Sequence, residues 1–148
     1  MIQRKQTLWF LASSIIAALA FVLPFGFKNT TSLNSYHINI RDFDAQTEII
    51  LILLFGAIVV VNLCAIFLFK KRPLQITASF VGIVLGVVAF AYEIYFSTKE
   101  GNTITFGIAN SVLYIGLLLP LLSVALTFLA MRGVQQDIKL LKETDRLR

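Results

Sequence analysis

Residues 49–96 constrain this chain more than any other stretch. Residues 49–69 form a run of 21 without a charge, and residues 74–96 a run of 23 with one, Glu93, near its far end. Either run can cross a hydrocarbon core of about 30 Å at ~1.5 Å per helical residue. Only Lys70-Lys71-Arg72-Pro73 separates them. So short a turn forces the two helices to run antiparallel. Three adjacent cations resist translocation, so the turn is expected in the cytoplasm.

Composition agrees with a lipid solvent. The chain is 57% hydrophobic and only 14% charged, with a mean hydropathy of +0.82. A soluble fold of 148 residues could not hide that much apolar surface. The net charge of +5 invites a nucleic-acid reading, but the cations sit beside the apolar runs. There they act as topology signals and contacts to anionic lipid. No nucleic-acid partner is expected.

Two further apolar runs complete the layout. Residues 8–27 are broken only by Ser13, Ser14, Pro24 and Gly26. Ala18-Leu19-Ala20 resembles a signal-peptide cleavage site, but the run stays apolar beyond it, which favours a retained span. The last run covers 107–131, with Pro120 near its middle predicting a kink. The predicted fold is an all-α membrane bundle of four transmembrane helices, with spans at about 8–27, 49–69, 74–96 and 107–131. Residues 1–131 form the membrane domain and residues 132–148 a cytoplasmic tail. In the tail Val134, Ile138 and Leu141 recur at helical spacing, which predicts an amphipathic helix continuing from the fourth span.

The outer loops carry strand signals. Tyr36-His37-Ile38-Asn39-Ile40-Arg41 alternates apolar and polar residues, and Thr103-Ile104-Thr105-Phe106 follows a turn at Glu100-Gly101-Asn102. The two loops are expected to pair as a small two-stranded extracytoplasmic cap. The charge count fits this topology. The three proposed cytoplasmic segments hold ten Lys and Arg, and the outer loops hold three, Lys28, Arg41 and Lys99. That bias places both termini in the cytoplasm.

Few residues carry chemistry. One cysteine, Cys64, permits no internal disulfide and excludes a self-contained thiol oxidase. One histidine, His37, excludes bis-histidine haem. No metal cluster, nucleophile with a base, or phosphate-binding glycine loop appears, so no enzyme and no cofactor are expected. Gly82 and Gly86 form a small-xxx-small pattern with Ala78 and Ala89 nearby, a face for close helix packing inside the bundle or for a second copy. Asn62 lies deep in the second span, with Thr77 and Ser79 at similar depth in the third as expected partners. Ser111 and Tyr114, three apart, could line an inner face of the fourth. Glu93, flanked by Tyr92 and Tyr95, reads as interfacial. Buried, it would serve a small transporter together with Asn110 or Tyr114.

Three segments carry a resemblance. The chain opens Met1-Ile2-Gln3-Arg4-Lys5-Gln6-Thr7, and its central turn reads Lys70-Lys71-Arg72-Pro73-Leu74-Gln75-Ile76. Its end reads Arg132-Gly133-Val134-Gln135-Gln136-Asp137-Ile138-Lys139-Leu140-Leu141 and closes on Asp145-Arg146-Leu147-Arg148. This resembles a Bacteroidetes family of small four-span membrane proteins catalogued as a domain of unknown function. The resemblance implies an inner-membrane location and brings no activity. All three segments lie on the predicted cytoplasmic side. A partner or lipid is therefore expected to meet Lys70, Lys71, Arg72, Arg132, Asp137, Lys139, Lys142, Asp145, Arg146 and Arg148. The expected role is an accessory or assembly subunit of a larger membrane complex, with transport through Glu93 as the alternative.

Overall fold

The computed structural model describes residues 2–23, 26–31, 38–43, 48–99, 103–104, 107–109 and 112–146. Helices α1 (Ile2–Leu19), α2 (Ile49–Phe67), α3 (Arg72–Lys99) and α4 (Leu119–Arg146) form a bundle. Helix α1 lies beside α2 and α4, and α3 closes the square against the same two. The residues that meet fix the directions. Gln6 meets Asp137 and Ser13 meets Ser123, so α1 and α4 are antiparallel. Ser13 also meets Asn62, and α2 returns into α3 through a 3-10 turn at Leu68–Lys70. Both helical termini therefore share one end of the bundle with the basic turn.

Each helix buries one stripe in steps of three and four residues. On α1 it is Gln6, Phe10, Ser13 and Ala17, continued by Ala20 in the turn that follows, and on α2 Leu51, Phe55, Ile58, Asn62 and Ala65. On α3 it is Gln75, Ser79, Gly82, Gly86, Ala89 and Glu93, and on α4 Pro120, Ser123, Thr127, Ala130, Val134 and Asp137. This is the seven-residue period of antiparallel helices that stay in register. The stripe residues are often small or polar, while large apolar side chains point outward: Phe67 is 79% exposed and Leu53 68%. Water could not solvate that exterior, but hydrocarbon can. Three helical stretches, Ile49–Phe67, Arg72–Phe96 and Gly116–Leu141, are long and apolar enough to cross a membrane. Helix α1 contributes a shorter apolar stretch, Gln6–Leu19.

The outer ends differ from the sequence reading. Helix α1 ends at Leu19, Leu23 N–H still donates to Leu19 O at 2.9 Å, and strand β1 (Gly26–Thr31) follows. A proline at 24 cannot supply the helical N–H and disfavours helix in the residue before it, so the span stops short of residue 27. The fourth helix likewise starts late. Residues 107–109 and 112–114 are strands β4 and β5, paired antiparallel with Ile108 opposite Leu113. Pro120 is then the second residue of α4, after a 3-10 turn at Gly116–Leu118. It starts the helix rather than kinking it, because the first helical turn needs no N–H from it.

Between these ends β1 pairs along its length with β2 (Ile38–Phe43), and at Gly26 and Phe27 with β3 (Thr103–Ile104). The two loops thus meet through β1, a strand that the sequence reading passed over. Residues 32–37, with Tyr36 and His37, lie outside the described residues, as do 100–102, 105–106 and 110–111.

The glycine face of α3 is filled from within the chain. A Cβ on Gly82 would meet Asn62 Oδ1 at 3.5 Å and Thr127 Cγ2 at 3.6 Å. A Cβ on Gly86 would overlap Val124 Cγ2. Helices α2 and α4 occupy this face, so a second copy has no access to it. Gly86→Ala should destabilise the bundle by about 1–3 kcal/mol, the usual cost of overpacking. Val124→Ala in the same chain should recover most of that loss. Gly56, whose Cβ would meet nothing within 4 Å, should tolerate alanine. Unfolding in mixed micelles measures all three, and a Gly86→Ala protein as stable as wild type would refute the close approach.

Candidate functional site

The most polar place inside the bundle lies midway along it. Asn62 Nδ2 donates to Ser13 Oγ at 3.0 Å, and Thr127 Oγ1 donates to Asn62 Oδ1 at 3.2 Å. Ser13 Oγ and Thr127 Oγ1 are 2.8 Å apart. If the Thr127 proton goes to Asn62, the Ser13 proton can go to Thr127, and the three bonds close into a ring running one way. Ser123 joins it: its Oγ and its carbonyl are each 2.9 Å from Ser13 Oγ, and the same carbonyl lies 2.9 Å from Thr127 Oγ1 as a second acceptor for that hydroxyl. The residues come from α1, α2 and α4, and Gly82 of α3 leaves the room in which they meet. Apolar groups flank this layer on both sides. Phe55, Ile58 and Leu51 pack toward the strands, and Phe10, Ala65 and Val134 toward the turn.

This corrects the expected partners of Asn62. Thr77 Oγ1 donates to Pro73 O at 3.2 Å and Ser79 Oγ to Gln75 O at 2.7 Å, so both hydroxyls are spent on their own helix. Ser123 and Thr127 were expected only to give the fourth span a partly polar, packing character, and Ser13 went unassigned because serine is common within apolar spans. The signal was their register: Ser123, Ala130 and Asp137 are seven apart, as are Gln6, Ser13 and Ala20.

A second polar layer closes the turn end. Gln6 Nε2 donates to buried Asp137 Oδ2 at 2.7 Å, and Gln75 Nε2 donates to Ala65 O at 3.0 Å. A Cβ on Gly133 would touch Gln6 Cγ at 3.0 Å. Val134 and Ile138 join the apolar cluster beside them. The start of the predicted tail is thus part of the bundle. Among the basic residues, Lys71, Arg132 and Lys139 are exposed, and Arg132 lies over the Phe128 ring, 5.9 Å from its centroid. Arg72 is half-buried at the start of α3. Lys70 ends the turn, Lys142, Asp145 and Arg146 fall in the last turns of α4, and Arg148 lies outside the described residues.

Glu93 is the largest departure from expectation. It is 1% exposed and enclosed by the bundle, because it occupies the inward stripe of α3, eleven residues beyond Gly82. Tyr95 is exposed and Tyr92 half-buried, with ring centroids 6.1 Å apart. Tyr114 belongs to β5, not to a helix face, and its expected neighbours Asn110 and Ser111 lie outside the described residues. No group of three His, Cys, Asp or Glu that could hold a metal occurs among the described residues. Cys64 is exposed.

A helical bundle with apolar exterior and polar seams defines a small integral membrane protein. The chain belongs to the DUF4293 family, a domain of unknown function, which matches residues 2–147. No curated protein and no solved structure matches it.

The ring makes its members interdependent. Ser13→Ala and Thr127→Val should each cost about 0.6–1.7 kcal/mol, the range for interhelical hydrogen bonds in membranes. The double variant should cost clearly less than the sum, since either change alone already breaks the ring. Unfolding free energies in mixed micelles test this, and costs that simply add would mean that the bonds act separately.

Proposed function

We propose that this protein is a non-enzymatic accessory or assembly subunit of a larger complex in the bacterial inner membrane. It spans four times, α1 included, with both termini in the cytoplasm. The count of ten cations at the turn end against three at the other supports that orientation. We read the cations as topology and headgroup determinants, with no nucleic-acid partner.

The observation that carries the reading is the far end of α4. Asp137, Val134 and Ile138 hold this helix upright against its neighbours. It therefore does not fold down onto the bilayer as a free amphipathic helix would. Beyond Ile138 it presents Leu140 and Leu141, each about half exposed, beside exposed Lys139 and Glu143. Two leucines among mixed charges suit a protein partner better than an anionic lipid surface. Transport is the second reading, and the burial of Glu93 favours it, because carboxylates inside a membrane bundle often serve ion or proton movement.

The test is a mild-detergent pull-down from native membranes. A chain ending at Ile138 should fold and unfold as the full protein does yet lose a defined co-purifying complex. A lone protein with no companion, indifferent to the truncation, would end the accessory reading. Should Glu93→Gln then abolish an uptake or efflux phenotype, the function is transport.

A further inference from the structure

Arg72 Nη1 is buried and has no hydrogen-bond partner. A covered guanidinium donor without an acceptor is costly, so an acceptor from within the chain is favoured. The register shows which one is at hand. Gly82 of α3 lies beside Thr127 of α4, and Gly86 beside Val124. Ten residues further toward the turn on both helices, the same antiparallel pairing sets Arg72 level with Asp137. The face agrees. Ile76, one helical turn from Arg72, packs against the cluster that holds Ala130 and Val134 of α4, as does Ile138 beside Asp137. Arg72 therefore lies on the side of α3 turned toward α4. Lys71, next to it, is exposed.

Buried Asp137 accepts from Gln6 Nε2 of α1 at 2.7 Å. A carboxylate bonds a guanidinium more strongly than it bonds a neutral amide. Arg72 also opens α3, where the helix dipole disfavours a cation and an adjacent anion offsets the penalty. We propose that Asp137 is a two-position latch. In the structure it holds Gln6 and ties α4 to α1. In a second arrangement it takes the Arg72 fork, releases Gln6 and ties α4 to α3. The Ser13 layer keeps the helices in register while the turn end shifts. The latch belongs to the bundle and needs no partner. Leu140 and Leu141 follow Asp137 on the same helix, so it also moves the docking residues, a consequence that rests on the accessory reading.

Two measurements on the full chain in mixed micelles test the latch itself. The first is a cycle of unfolding equilibria. Arg72→Gln and Asp137→Asn should each lower the folding equilibrium constant about tenfold, less than for a fully buried pair because Arg72 is part-exposed. The double variant should lose no more than either alone. Exchanging the charges, Arg72→Asp with Asp137→Arg, should recover most of the loss, and Lys71→Gln should cost little. The second is the spacing of spin labels at Lys71→Cys and Lys139→Cys with Cys64→Ser. Gln6→Met, which removes the competing donor, should enrich a shorter α3–α4 spacing, and Asp137→Asn should abolish it. Costs that add, or a charge exchange as unstable as the single variants, would overturn the pair. A spacing indifferent to both Gln6→Met and Asp137→Asn would overturn the exchange. If the charge-exchanged chain fails to fold, the cycle and the spacing decide. Loss of a co-purifying complex with the latch intact would count against the accessory reading alone.

Discussion

The structure depends on one hydroxyl. Ser13 Oγ sits within 3.0 Å of Asn62, Ser123 and Thr127, and so joins three helices at one point. In water such groups would lose little by separating. In hydrocarbon each would be left without a partner, so the layer fixes which helices meet and at what height. Measured bonds of this kind are modest, about 0.6 kcal/mol on average, so their value lies more in register than in total stability. Slide α1 along α4 by one turn and Ser13 leaves its partners, while Gln6 leaves Asp137. The two contacts, one turn-ward of the other, specify the same alignment.

The ring exists because α3 withdraws. With Gly82 opposite Asn62 and Gly86 against Val124, α3 comes close without filling the centre, and Asn62 and Thr127 reach each other across the diagonal. The glycines replace the hydrophobic effect, which gives no pull between helices already in lipid. Close backbones gain dispersion contacts instead. This is why the stripe of α3 runs Gln75, Ser79, Gly82, Gly86, Ala89, Glu93, with no bulky apolar side chain in it. The bulk lies on α2, where Phe55, Ile58 and Leu51 fill the strand-ward core and Phe55 meets Phe21 edge-on at 6.3 Å.

Length and charge made the central helices legible. An uncharged run of 21 residues ended by three cations leaves little choice, and α2 and α3 fall where it puts them. Both helix ends at the strand side were misjudged for one reason. Hydrophobicity does not separate an apolar strand from the end of an apolar helix, so Gly26-Phe27 and Gly107-Ile108-Ala109 were read as span. The prolines held the missing information: Pro120 suits a helix start far better than a helix middle. Asn62 was correctly singled out as buried, but its partners come from α1 and α4, and pairwise depth along two adjacent spans could not reveal a contact among three. Glu93 was placed by its distance from the loop. Its face decides its burial, and the seven-residue stripe from Ser79 through Gly86 leads to it.

The two ends of the bundle differ in a way that bears on how it sits. The segments at the turn end carry ten cations and three acids, Asp137, Glu143 and Asp145. Those at the strand end carry three cations and four acids, Asp42, Asp44, Glu48 and Glu100. A chain so polarised has one favourable orientation in a membrane whose cytoplasmic leaflet is anionic. The polar seams reinforce the same axis. At the turn end buried Asp137 accepts a hydrogen bond from the Gln6 amide. At the strand end Glu93 is enclosed on the inward stripe of α3. The alignment of the helices is kept between these ends by the Ser13 layer. The cations that polarise the two ends and the side chains that align the helices are different residues, so charge asymmetry and register are separate properties of this chain.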